Sequence, residues 1–79
     1  MELRHLRYFV AVAEALNFRK AAEKLYLSQP TLSTQIRQLE KELDVPLLRR
    51  DTHQVSLTAA GEYFLESCRR ILREVDTAE

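Results

Sequence analysis

The sequence predicts a mainly α domain: a winged helix-turn-helix, made of a three-helix core and a two-stranded wing, followed by a long C-terminal helix. Three observations predict it. Apolar residues recur at helical spacing in four segments. Only one Gly and two Pro occur in 79 residues, too few turn formers for an all-β chain of this size. A short alternating run, Val55-Ser56-Leu57, follows an apolar pair and a polar loop, the pattern of one hairpin.

Residues 3–16 form the first helix, in which Leu3, Leu6, Phe9, Val10, Ala13 and Leu16 recur at helical spacing. Asn17 ends it and caps the next. Phe18, Ala21, Ala22 and Leu25 then fall at i, i+3, i+4 and i+7, and the paired alanines permit close approach of a crossing helix. Tyr26-Leu27-Ser28 is a short link. Ser28-Gln29-Pro30 starts a third helix, with a capping hydroxyl and a proline in the first turn, where a missing N–H costs nothing. Leu32, Ile36, Leu39 and Leu43 stripe this helix, and Pro46 stops it by disfavouring a helical conformation at Val45. Leu47-Leu48, the polar run from Arg49 to Gln54 and the alternating Val55-Ser56-Leu57 read as the hairpin, although its turn lacks Gly. Thr58 caps a last helix, striped by Phe64, Leu65, Cys68, Ile71, Leu72 and Val75. The sequence stops inside that helix without a capping residue, as expected of a piece of a longer protein.

Composition narrows the function classes. Apolar residues make up 46% of the chain and net charge is zero, which argues against intrinsic disorder. One Cys cannot form an intramolecular disulfide, no apolar run approaches the length of a membrane span, and no secretory leader precedes the first helix. A cytoplasmic protein without membrane association is expected. Catalysis finds little support. A phosphate-binding loop needs several glycines, and Gly61 is alone. His5, His53 and Cys68 sit on separate elements, so no metal site is expected. Asp51 and His53 read as solvated loop residues, and Cys68, on an apolar stripe, as a buried thiol.

The two short helices joined by three residues are more specific, because that spacing is the helix-turn-helix pattern. On a helical wheel, Leu32, Ile36, Leu39 and Leu43 fall within about 60°. The opposite face carries Pro30, Ser33, Thr34, Arg37 and Lys41, and no Asp or Glu occurs from Gln29 to Gln38. Such a surface suits phosphates and base edges; an ordinary polar helix face is the competing reading. The hairpin adds Arg49, Arg50, His53 and Gln54 on a loop tip directly after the candidate recognition helix, placed to reach the DNA backbone or minor groove. Zero net charge opposes a nucleic-acid partner, but residues 19–38 carry four basic side chains against one acid.

The last helix carries a separate signal. Its 20 or so residues span about 30 Å, whereas the preceding body has an expected diameter of about 26 Å. Its C-terminal part should therefore project, leaving Ile71, Leu72 and Val75 without an intramolecular partner, so that Phe64, Leu65, Cys68, Ile71, Leu72 and Val75 form a homodimer interface.

Ala21-Ala22-Glu23-Lys24-Leu25, Ser28-Gln29-Pro30-Thr31-Leu32-Ser33, Gln35-Ile36, Leu39-Glu40, Leu43, Pro46-Leu47-Leu48, Arg50 and Leu57-Thr58-Ala59-Ala60-Gly61 together resemble the N-terminal domain of LysR-type transcriptional regulators, over essentially the whole chain. The opening Met1 to Glu14 resembles members that control aromatic-compound catabolism. The resemblance implies a winged helix-turn-helix over residues 1–58 (the helix-turn-helix at about 18–37) and a linker and dimerisation helix over 59–79, cut short. It implies sequence-specific binding of double-stranded promoter DNA at interrupted palindromes, as a dimer and usually a tetramer in the whole protein. A C-terminal effector-binding domain, absent from this chain, would take a small molecule; the domain itself needs no cofactor. Base contacts would come from Gln29, Pro30, Thr31, Ser33 and Thr34, with Arg50 and its neighbours in the wing. The chain departs from the family pattern at Thr34, often Arg; at Asp44, often Gly; and at Leu48-Arg49, where Phe-Glu is common. The alternative is a winged-helix protein-interaction module that does not bind DNA.

Overall fold

The computed structural model describes residues 1–51 and 54–78. The elements run α1 (Leu3–Ala15), α2 (Phe18–Leu25), α3 (Gln29–Leu43), β1 (Leu48–Arg50), β2 (Val55–Leu57) and α4 (Ala59–Ala78). The three-helix core, the wing and the long last helix are all present. β1 and β2 pair antiparallel, with Leu48 opposite Leu57, Arg49 opposite Ser56 and Arg50 opposite Val55. The strand therefore begins at Leu48 and takes in both arginines, which the sequence reading had assigned to the loop. Among the described residues no helix is long and apolar enough to cross a membrane.

Polar side chains fix the helix starts. Asn17 Oδ1 accepts from the Lys20 amide at 2.9 Å, Ser28 Oγ from the Thr31 amide at 3.2 Å, and Thr58 Oγ1 from the Gly61 amide at 2.9 Å. Each satisfies one amide that a helix start leaves open. Helices α1 to α3 end on Leu16, Tyr26 and Asp44, all left-handed, with φ of 49°, 58° and 55°. Of these, Asp tolerates the conformation best.

Helix α1 packs against α2, α3 and α4 at once. It consequently buries more than one stripe: Ala11 and Val12 join Leu6, Phe9 and Ala13 in the core, while Leu3 and Leu16, expected on the stripe, are exposed. Ala21 and Ala22 are buried and bring α2 close, and Leu32, Ile36 and Leu39 seat α3. Gly61 opens α4 against the Leu47 carbonyl oxygen, where no Cβ would fit.

The expectation for α4 requires correction. Leu65 and Cys68 are buried inside the protomer, and the Phe64 ring lies 5.4 Å from that of Phe9. Leu65 and Cys68 belong to the protomer's own core and offer no surface to a second copy, and Phe64 is partly buried against that core. Leu72 is also partly buried against the core. Arg69 pairs with Glu14 at 3.1 Å and Asp76 with Arg7 at 3.4 Å, so α1 accompanies α4 almost to its end. The projection argument treated the body as a sphere, whereas α1 runs beside α4 and pairs with it as far as Asp76. Ile71, exposed, and Val75, half-buried, are the stripe residues left at the surface.

Candidate nucleic-acid interface

Because Leu32, Ile36 and Leu39 point into the core, the opposite face of α3 points outward. Gln29, Pro30, Thr31, Thr34 and Arg37 are exposed and Ser33 is half-buried. The Thr31 hydroxyl is engaged locally, accepting from Ser28 Oγ at 2.7 Å. That bond holds the first turn of α3, the part of a recognition helix that enters a groove.

The wing departs from expectation. Strand periodicity places Arg49 outward and Arg50 on the inner face with Leu48. Arg50 Nη2 donates to Glu40 Oε1 at 3.2 Å, and Arg50 Nη1 donates to Ser33 Oγ at 3.4 Å. The guanidinium also lies 4.9 Å from the centre of the Phe18 ring, a cation–π contact. Arg50 thus joins β1 to α3 and α2 and does not sit on a loop tip. Burial lowers its pKa below the ordinary guanidinium value; Glu40 opposes that shift and the charge of Arg37 adds to it. The group stays charged at any physiological pH.

Glu40 is the residue the sequence reading missed. Its Oε2 accepts from the amides of Leu47 at 2.8 Å and Leu48 at 3.2 Å, while Oε1 holds Arg50. One carboxylate therefore fixes the entry to the wing and its inner arginine. The place of Glu40 in the sequence, the first acid after the acid-free run and about 80° from Leu32 on the wheel, marks it as lying beside the core stripe but not as the anchor of the wing.

At the far end of the wing, the Asp51 amide donates to the Gln54 carbonyl at 3.0 Å, and the Gln54 amide donates to Asp51 Oδ1 at 2.9 Å. Asp51 is therefore a turn-closing residue. Gln54 is exposed; His53 lies outside the described residues. Between this turn and the starts of α2 and α3 runs a shallow cleft lined by Leu16, Asn17, Phe18, Arg19, Gln29, Asp51, Gln54 and Val55.

Lys20, Lys24 and Arg37 are exposed on the helix-turn-helix, and Arg19 pairs with Glu23 at 3.2 Å. The arrangement offers hydroxyl, amide and guanidinium donors on one convex helix, which suits phosphate and base-edge contact. Among the described residues no group of three His, Cys, Asp or Glu side chains could hold a metal ion. Burial pushes the Cys68 thiol up to about 11, so it is not a ready nucleophile.

The family described as bacterial regulatory helix-turn-helix protein, lysR family, matches residues 3–62. The chain is 63% identical over 79 residues to the Hca operon transcriptional activator HcaR of Escherichia coli (strain K12), covering all of this chain and 27% of that protein. It superposes with a TM-score of 0.95 and 50% identity on the BenM_DBD/catB site 1 DNA complex, covering 99% of this chain and 87% of that one. The CbnR_DBD–DNA complex gives a TM-score of 0.95 at 49% identity, covering 99% and 90%. The chain spans about a quarter of the length of HcaR and of most of the curated relatives it matches.

Proposed function

The chain belongs to the lysR family of bacterial regulatory helix-turn-helix proteins, and from that premise we propose that it is the sequence-specific DNA-binding domain of a transcription regulator. Helix α3 enters the major groove of promoter DNA and the wing lies along the backbone or minor groove. The observation that carries this reading is the exposed, acid-free face of α3 beside the wing, in a fold that superposes on domains solved with DNA. Gln29, Pro30, Thr31, Ser33 and Thr34 face base edges and adjacent phosphates. Arg37, Arg49, His53 and Gln54 supply the flanking contacts.

Residues 1–58 constitute the DNA-binding unit and 59–79 the start of a linker helix. Two copies associate through the surface around Ile71 and Val75, and bind the two halves of an interrupted palindrome. The whole protein is a cytoplasmic regulator without enzymatic activity. A further effector-binding domain takes its small-molecule signal, and the whole protein is a tetramer.

Selection of binding sites from a pool of randomised duplexes tests the reading. A two-part consensus is expected. Thr34→Arg should move the preference at one position of each half towards guanine, whose O6 and N7 suit Arg. A chain that retains no duplex would support the protein-interaction alternative and refute DNA binding.

A further inference from the structure

The contact between Arg50 and Ser33 joins a wing residue to the face of α3 that the proposed function places in the groove. A serine hydroxyl has one proton and two acceptor positions, and a guanidinium only donates. With Arg50 Nη1 donating to Ser33 Oγ at 3.4 Å, the serine proton points away from the arginine. Arg50 is itself held. Its Nη2 bonds Glu40, whose second oxygen is fixed by two backbone amides, and its plane rests against Phe18. The side chain is only 24% exposed, so it has little freedom to leave Ser33. The rigid fork of Arg presents donors to two acceptors at a fixed separation, whereas Lys ends in a single ammonium on a flexible stem.

We propose that Arg50 is a positioning residue for specificity: anchored by Glu40 and Phe18, it fixes the place of the Ser33 hydroxyl on the DNA-facing side of α3. This inference rests on the DNA-binding reading. In the major groove, guanine, adenine and thymine each present an acceptor, whereas cytosine presents only a donor. The proton and the one acceptor position left to Ser33 can meet either kind of edge, so what Arg50 sets is where the hydroxyl sits, and hence which base-edge atom lies within its reach. A side chain free to change rotamer would reach more than one such atom and discriminate less.

The test is duplex selection and competition binding by the full chain and its Ser33→Ala, Arg50→Met, Arg50→Lys and Ser33→Ala/Arg50→Met variants, repeated across a range of salt. Wild type should show a base preference at one position of each half-site. Ser33→Ala and Arg50→Met should each relax that preference, at the same position, by about threefold to tenfold, the worth of one neutral hydrogen bond, and the double variant should relax it no further. The salt slope of Arg50→Met should match that of wild type, since loss of a phosphate contact would lower it by about one unit. Arg50→Lys keeps the charge and should also relax the preference with an unchanged slope, so it carries the test if Arg50→Met fails to fold. A consensus unchanged in all variants, or relaxed at different positions by Ser33→Ala and by the Arg50 variants, overturns the inference. So does a slope reduced by one unit in Arg50→Met, which would make Arg50 a phosphate contact. Wild type that selects no site refutes the DNA-binding reading itself.

Discussion

Gly61→Ala should destabilise the domain, although the same change in an unobstructed helix stabilises. An added Cβ would run into the Leu47 carbonyl oxygen and lie 3.0 Å from the carbonyl carbon and 3.3 Å from Leu57 Cδ2. That oxygen accepts from the Thr58 amide at 3.0 Å, and Leu47 is almost fully buried. Relief requires the start of α4 to move away from Pro46 and Leu47. The movement weakens the Thr58 amide bond and the 2.7 Å bond from Thr58 Oγ1 to the Pro46 carbonyl, each worth about 1 kcal/mol. Forced packing adds about 1–3 kcal/mol, and the better helix propensity of Ala returns about 1 kcal/mol. A net loss of about 2–4 kcal/mol remains. At about 4–8 °C per kcal/mol for a domain of this size, the melting temperature followed by circular dichroism should fall by at least about 8 °C. A rise would show that α4 does not abut Leu47 and would refute the reasoning.

Glu40→Ala should cost about 2–4 kcal/mol in urea denaturation, because it strands the amides of Leu47 and Leu48 and the Arg50 guanidinium; Glu40→Gln, which keeps an acceptor, should cost less. The folded Cys68 pKa, about 11, lies above its ordinary value of 9.0. Cys68 therefore contributes fully below pH 9, and its contribution falls as pH rises towards 11, where only the unfolded chain gains the thiolate. Cys68→Ala should abolish that part of the alkaline decline, measured as the difference between the two stability profiles. Replacing Ile71 and Val75 together by Lys should shift the sedimentation of the chain towards monomer and leave the helical spectrum intact, since neither residue is buried.

Local chemistry made much of the fold legible. The caps at Asn17, Ser28 and Thr58, the stop at Pro46 and the stripe on α3 each follow from residues within a turn of the feature they set. Asp44 was identifiable as a left-handed helix end, but Leu16 and Tyr26 were not, because nothing in an apolar or aromatic side chain announces positive φ. The α4 stripe was legible as apolar but not as to its partner. Periodicity says which face is buried, not whether α1 or a second copy buries it. For the same reason Leu65 and Cys68 were misassigned. Glu40 and Arg50 are ten residues apart and meet only because the wing folds back on α3, a tertiary event that no local pattern encodes.

The central claim is that the outward face of α3 and the wing lie on a DNA duplex. The dependence of duplex affinity on salt tests it most directly. If Lys20, Lys24, Arg37 and Arg49, all exposed, each neutralise about one phosphate, log K should fall against log salt with a slope of roughly −3 to −4 per protomer. Arg49→Ala should then reduce the slope by about one unit on selected and unselected duplexes alike. Affinity that is indifferent to salt, or a slope unchanged by Arg49→Ala, would contradict the account.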